Sequence, residues 1–179
     1  EIVSKETDDK TEIHIGGMPI WLSYLDRFAH EMPYYLLLAI IIIGLIHYEA
    51  FRTIQAMLLP LVTALLSVVW SLGWLAISGL TMDTWNSMTP ILVLAVAAGH
   101  AVQILKRYYE EYDKLGDNHA AVVEAVVKVG HAMILAGSMA TLGFASLALF
   151  EIRTVRVFGL TTAAGILSAL VIEMTFIPA

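Results

Sequence analysis

The side chains with the clearest chemical potential in this sequence lie inside long apolar stretches. His100 is the single titratable residue of Thr84–Leu105, and Gln103 follows it one helical turn later on the same face. Glu173 is the single charged residue of Val157–Ala179. Ionisable groups inside a membrane mark proton or substrate pathways, and an imidazole can bind and release a proton in the physiological pH range. The pattern therefore indicates a proton relay, with His100, Gln103 and Glu173 as the candidates.

Each of these titratable residues also has a purely structural interpretation. A neutral His100 can form an interhelical hydrogen bond to a backbone carbonyl or a hydroxyl group. Glu173 follows Val157 by 16 residues, about 24 Å along a helix, where a carboxylate at the membrane interface would reach water. His131, near the start of its own apolar segment, is predicted to be interfacial as well. The sequence leaves the relay and the structural roles open.

For enzymatic chemistry the sequence offers little. It has no cysteine, no glycine-rich phosphate loop and no Cys or His pair at the spacing of a zinc site. No two carboxylates occur together within the apolar segments. We therefore expect a protein that is not an enzyme and that uses neither a metal ion nor a cofactor.

Apolar residues, which must form the elements that position these side chains, dominate the composition. Hydrophobic residues make up 59 % of the 179 positions and charged residues 15 %, with a mean hydropathy of +0.77. Soluble domains average roughly 45–50 % hydrophobic residues and about 25 % charged residues. A net charge of −6 without a basic stripe argues against nucleic-acid binding, and the composition excludes a disordered chain and a disulfide-stapled domain. An integral membrane protein remains.

Five apolar segments approach or exceed the length needed to cross a bilayer. A spanning helix needs about 20 predominantly apolar residues, and these segments lack the alternation of membrane β-strands. The segments are Met32–Ile46, Thr53–Met82, Thr84–Leu105, Val129–Phe150 and Val157–Ala179. We predict an all-α membrane protein with five transmembrane helices.

Polar patterning divides the chain further. Residues 18–32 predict an amphipathic helix at the membrane interface, residues 33–179 the five-helix bundle, and residues 106–128 an amphipathic link within that bundle. Small residues at four-residue spacing predict close helix packing on two of the spans. The candidates for this packing are Ala95, Ala136, Gly137, Ala140 and Thr141.

The distribution of Lys and Arg predicts the orientation, because positive residues concentrate in cytoplasmic links. The links on one side carry Arg52, Lys106, Arg107, Lys114 and Lys128, whereas those on the other side carry Arg153 and Arg156. This places the link 106–128 in the cytoplasm and the N-terminal segment outside. Because Phe176–Ala179 is still apolar at the end of the chain, we expect this sequence to be a piece of a longer polypeptide.

Four stretches of the sequence occur in an order and spacing that resemble a known family. They are Ile13–Pro19, then Met88–Pro90 with Gly99–Tyr108, then Gly137–Phe144, and finally Val157–Leu160 with Phe176–Ala179. Together they resemble half of the membrane domain of a resistance-nodulation-division (RND) exporter, especially its lipid-exporting, MMPL-like branch. The order and spacing of the stretches carry this resemblance, since no one motif is highly specific.

The resemblance implies five of the six helices of one repeat, with residues 1–17 as the end of an extracytoplasmic, porter-like domain. Members of this family are driven by the proton gradient, and their relay usually contains an Asp-Tyr pair in the fourth helix of the repeat. By resemblance these two positions fall on Gly99 and His100, so the usual acid is absent. Either His100 replaces the carboxylate, supported by Gln103, or this half does not couple to protons.

The function implied is part of a proton-driven RND-type transporter that exports lipids or other hydrophobic compounds across the bacterial inner membrane. The alternative is a non-transporting module for lipid or sterol sensing, or a scaffold, within a larger complex. The expected partners are membrane lipids, a hydrophobic substrate, and the second repeat and porter domain of the same or a partner chain. Oligomerisation stays open, and nucleic acid is not expected as a partner.

Overall fold

The chain folds into a bundle of long helices, which a computed structural model describes for residues 17–179. The helices are α1 (Met18–Phe51), α2 (Ile54–Ile77), α3 (Thr89–Leu115), α4 (Asn118–Ala145) and α5 (Arg153–Phe176). Short 3₁₀ helices precede α3 (Asn86–Met88) and follow α4 (Ser146–Leu149). All five long helices are long and apolar enough to span a membrane, which confirms the predicted fold class. Nearly all of the segment 1–17 lies outside the described residues.

Helix α1 is continuous where the sequence suggested a boundary between an interfacial helix, 18–32, and the first span. Contacts at four-residue spacing cross this boundary without a change of register. Arg27 donates to Glu31 over 3.2 Å, and the Tyr35 hydroxyl donates to the other oxygen of Glu31, also over 3.2 Å. Pro33 is accommodated inside the helix. The stretch 18–32 is therefore nearly the first half of a 34-residue helix.

The polar stretch 106–128 is likewise not a separate surface element. It consists of the end of α3 and the start of α4, which are joined by a turn of two residues. Gly116 takes the left-handed conformation, with φ of 66°, and ends α3, while the carboxylate of Asp117 caps α4 by accepting from the Ala120 N–H over 2.8 Å. Charge patterning marks where a helix leaves the apolar region and not where it ends, so α3 and α4 both extend into the link 106–128.

Helix α3 forms the centre of the bundle, because it contacts each of the other four long helices. It runs parallel to α5, and both begin at the same end, where the Thr89 and Thr162 hydroxyls lie 3.4 Å apart. The antiparallel α2 packs against both helices, and its Ser71 hydroxyl donates to the Thr161 carbonyl over 3.0 Å. These buried polar contacts fix the register of α5 against α2 and α3.

A glycine permits the closest approach between these three helices. A Cβ atom at Gly165 would lie 2.5 Å from Val93 Cγ2 and 2.8 Å from Ser71 Oγ. Since real Cβ contacts are never this short, only glycine allows α5 to pack at this distance. Around this point the core consists mainly of small apolar residues, namely Ala64, Val68, Val93, Leu94, Ala97, Ala98 and Ala169.

The outer surface of the bundle is apolar over most of its height. Large apolar side chains are exposed on several helices, among them Tyr34, Leu45, Val69, Met139, Leu167 and Val171. In water such a surface would drive aggregation, whereas in a bilayer it contacts hydrocarbon. The exposed apolar surface therefore agrees with a bundle that is immersed in lipid.

Candidate functional site

The structure brings two of the predicted site residues together in the interior of the bundle. His100 on α3 and Glu173 on α5 are 73 positions apart, the same separation as the Thr89–Thr162 contact that aligns the two helices. The Nδ1 atom of His100 lies 3.4 Å from Oε2 of Glu173. The pairing is thus a consequence of the parallel register of α3 and α5.

The Glu173 carboxylate is enclosed by the bundle. Its side chain is 0 % exposed and that of His100 is 13 % exposed. Within residues 17–179, neither the two carboxylate oxygens nor His100 Nδ1 makes a hydrogen bond, although the pair is close. An isolated buried charge is strongly unfavourable, so a neighbour of opposite charge or a proton must compensate it.

The depth of the pair differs from the interfacial alternative for Glu173. His100 lies six residues before Lys106, the first charged residue of α3, which corresponds to about 9 Å of helical rise. Glu173 sits beside His100 and shares its level. The carboxylate is close to the end of α5 yet well inside the bundle, because α3 continues for 15 residues beyond His100.

The other candidates of the sequence analysis lie elsewhere. The side chain of Gln103 is exposed on the surface of the bundle, as is Gly99, which has no atom within 4 Å of an added Cβ. Gln103 therefore does not support the pair from within these helices. His131 is exposed near the middle of α4. Among the described residues, no group of three His, Asp or Glu side chains could hold a metal ion.

The small residues proposed for helix packing fall into two groups. Gly137 is buried on α4, and a Cβ there would meet Leu170 of α5 at 3.1 Å, so this glycine does mediate a helix contact. Ala140 and Thr141, one turn further along, are partly buried. In contrast, Ala95 and Ala136 are exposed on the bundle surface.

Sequence reasoning missed a second buried carboxylate, Glu111 on α3. Its side chain is 4 % exposed and is surrounded by three cations. Arg107 Nη2 lies 3.0 Å away, Lys114 Nζ 3.3 Å and Lys128 Nζ 2.9 Å from its oxygens. Spacings of three and four residues could have identified Arg107 and Lys114. Lys128 belongs to α4, so its contact depends on the tight turn at Gly116 and Asp117.

The comparisons with known proteins agree with a membrane protein of larger size. The MMPL family profile matches residues 1–179. MJ1562 of Methanocaldococcus jannaschii is 26 % identical over 172 residues, which cover 94 % of this chain and 44 % of the relative. ActII-3 of Streptomyces coelicolor is 28 % identical over 148 residues, covering 80 % of this chain and 21 % of the relative. This chain thus spans less than half the length of these relatives.

Five apolar helices around a buried histidine–carboxylate pair define a multi-pass membrane protein of the α-helical class. The match over its whole length makes the assignment specific. The chain belongs to the MMPL family of the RND superfamily, which confirms the resemblance seen in the four sequence stretches.

Proposed function

We propose that this chain is part of a proton-driven RND-type transporter of the bacterial inner membrane, exporting lipids or other hydrophobic compounds, and that His100 and Glu173 bind the coupling proton. One observation carries the proposal. A buried carboxylate and an imidazole face each other from two helices, 3.4 Å apart, and neither has another polar partner among residues 17–179.

The chemistry of such a pair suits proton binding. With one shared proton the pair is neutral overall, either as an imidazolium–carboxylate pair or as neutral imidazole and carboxylic acid. Losing that proton, or gaining a second, leaves a net charge within the bundle, which low-dielectric surroundings disfavour. Each change of protonation therefore alters the free energy of the α3–α5 contact.

The location of the pair provides a route from protonation to helix movement. His100 and Glu173 belong to two different helices whose register depends on neighbouring contacts, such as Thr89 with Thr162. Attraction between imidazolium and carboxylate draws α3 and α5 together, whereas a single uncompensated charge on the pair favours the entry of water between them. This is the type of two-state element that a coupled transporter needs.

The exposed side of α3 provides a surface for contact with another part of the transporter. Ala95, Gly99 and Gln103 lie one turn apart on this exposed surface. Small residues allow close packing of membrane helices. We assign this surface to the second repeat, for which the additional length of the relatives leaves room. His100, partly exposed beside this surface, would then border the interface of the two repeats.

One observation favours the alternative, a non-transporting lipid-sensing or scaffold module. Gly99 occupies the position where the family usually has its intramembrane Asp, and it supplies no side chain at all. If His100 and Glu173 do not bind a proton in its place, this half has no group that could couple to the proton gradient. The two functions differ in whether a pH gradient drives movement of a substrate.

The experiment is a lipid-transfer assay with the full-length protein reconstituted in liposomes. The probe is phosphatidylethanolamine with a fluorescent head-group label, and its transfer to acceptor vesicles is followed with and without an imposed pH gradient. We expect the gradient to accelerate transfer by the unmodified protein. We expect His100→Ala to reduce the rate to that observed without a gradient.

The matched control is His131→Ala, which makes the same change at an exposed histidine of α4 and should leave the rate unchanged. A His100→Ala protein with unaltered rate and pH dependence would remove His100 from the proton site. Binding of the labelled lipid without any gradient-driven transfer would instead support the sensing module.

A further inference from the structure

A cavity lies at the end of the bundle opposite the start of α3 and begins about one helical turn beyond the His100–Glu173 pair. It has a volume of about 660 Å³, within the range of roughly 300–1,000 Å³ that is typical of small-molecule sites. Four helices form it: the start of α2, the end of α3, the start of α4 and the last residues of α5, together with residues 177–179.

The lining of this cavity separates into two chemical zones. Its inner part is hydrocarbon, formed by Ala56, Leu59, Ile104, Leu105, Ala125 and Phe176. Its other part carries neutral polar groups from Gln55, Asn118 and the tyrosines 108, 109 and 112. The Tyr108 hydroxyl donates to the Asn118 side-chain oxygen over 2.7 Å, which leaves the Asn118 amide N–H groups available to a ligand.

The lining contains no charged side chain, although several charged residues are close in the sequence. Arg107, Lys114 and Lys128 all pair with Glu111, and Glu110 and Glu124 are further partners of Arg107 and Lys128. The lining itself therefore supplies no cation to an anionic head group. The part of a ligand that this cavity contacts must combine hydrocarbon with uncharged hydrogen-bonding oxygens.

The position of the cavity along the bundle indicates where such a ligand comes from. Its hydrocarbon zone lies between His100 and the first charges of α3, and its tyrosines lie at the level of those charges. Tyrosine is enriched where the apolar part of a bilayer meets the head groups. A membrane lipid would thus meet the hydrocarbon zone with an acyl chain and the polar zone with its ester and hydroxyl groups.

We propose that this cavity is a binding site for a neutral glycerolipid of the diacylglycerol type, with one acyl chain between α2 and α5 and its ester and hydroxyl oxygens at Gln55, Asn118 and Tyr112. The site consists of different residues from the His100–Glu173 pair and does not depend on proton coupling. It gives the protein a lipid-binding function beyond the proposed transport.

The test uses the purified full-length protein and a diacylglycerol with a photoreactive diazirine in its acyl chain, in detergent and without a pH gradient. We expect labelling of peptides that contain Leu59, Ile104 or Phe176, as located by mass spectrometry. Unlabelled diacylglycerol should compete with the probe, and phosphatidic acid should compete more weakly because of its charge.

Two variants test the two zones of the cavity. Ala125→Leu fills the hydrocarbon zone and should reduce labelling about tenfold, whereas Ala132→Leu, the same change at an exposed position of α4, should not. Gln55→Leu removes an exposed amide, which carries little risk for folding, and should weaken competition by diacylglycerol while hydrocarbon contact persists. It keeps the test valid if Ala125→Leu fails to fold.

Three results would overturn the proposal. One is labelling spread evenly over the lipid-facing surface, and another is stronger competition by phosphatidic acid than by diacylglycerol. The third is a cavity that stays unlabelled because a further segment of the full-length chain fills it, as crosslinks from Phe176 to such a segment would reveal. Because no transport is measured, failure here is independent of the transport proposal.

Discussion

Two carboxylates, Glu111 and Glu173, are buried among residues 17–179, one on α3 and the other against it, and their surroundings are opposite. Glu111, near the end of α3, has three cations within 3.3 Å. Glu173, packed against the middle of α3, has one imidazole at 3.4 Å and no hydrogen bond within the described residues. Three cations surround one carboxylate, whereas a single imidazole faces the other.

This difference gives the two carboxylates different roles. We interpret Glu111 as an anchor, a fixed ion pair that joins α3 to α4, and Glu173 as a switch, part of a pair whose charge can change. A carboxylate held by three permanent cations stays ionised over the working pH range and ties α3 to α4. A carboxylate whose one partner is a histidine shares its charge state with a group that can be neutral or protonated. Burial alone therefore does not identify a functional acid, and the composition of its surroundings decides its role.

The largest expected effect comes from making the same substitution at both carboxylates. Glu173→Gln removes the acid of the titratable pair and should reduce gradient-driven lipid transfer to the level of liposomes without protein. Glu111→Gln removes an acid that takes no part in proton binding and should retain gradient-driven transfer. The labelled phosphatidylethanolamine assay measures both. Equal losses in the two variants would remove the distinction between them.

The next effect concerns the contact that keeps α3 and α5 in register. Gly165→Ala places a Cβ 2.5 Å from Val93 Cγ2, and such overpacking should destabilise the protein by about 1–3 kcal/mol. Thermal unfolding of the full-length protein in detergent measures this loss. Gly143→Ala is the control, since an added Cβ there meets nothing within 4 Å. If both variants have the same melting temperature, Gly165 does not set the distance between α5 and its neighbours α2 and α3.

A smaller effect is expected at the anchor itself. Glu111→Gln leaves Arg107, Lys114 and Lys128 near one another without their shared anion, so the melting temperature should fall. Glu124→Gln also loses a contact with Lys128, of 3.1 Å, but from an exposed position, and should change the melting temperature little. A larger drop for Glu124→Gln than for Glu111→Gln would contradict the role of Glu111 as an anchor.

The smallest effect is expected at Gln103, which the sequence linked to His100 by spacing alone. Because its side chain is exposed whereas Glu173 is buried, Gln103→Leu should change the transfer rate less than about twofold and leave its pH profile in place. Measuring that profile from pH 5 to 8 covers the range in which histidine titrates. A shift as large as that of His100→Ala would place Gln103 in the relay after all.

The helices of this fold could be predicted from the sequence, but not all of their limits. Runs of apolar residues identified five spans, because a bilayer imposes a minimum length on each. The boundaries at 32–33 and 106–128 were placed where charge begins, although a helix continues freely into water. The sequence did contain signals for the actual turn. Gly116 is a residue type that commonly ends helices, and Asp117 is one that commonly caps their N-termini.

The candidate site could be predicted only as separate residues. His100 and Glu173 each stood out as a polar group in an apolar segment. That they meet follows from the parallel register of α3 and α5, which depends on Gly165 and on hydroxyl contacts such as Thr89 with Thr162. Nothing in the local pattern of either helix specifies that register, so the pair emerged only from the fold.

The most direct measurement is infrared difference spectroscopy of the full-length protein between pH 5 and 8, the range in which histidine titrates. If Glu173 and His100 bind the coupling proton, a carbonyl band of a protonated carboxylic acid should change with pH in the unmodified protein. That change should be absent in Glu173→Gln and should occur at a different pH in His100→Ala. A carboxylic acid band that stays constant over this range, or one that Glu173→Gln leaves intact, would contradict the assignment.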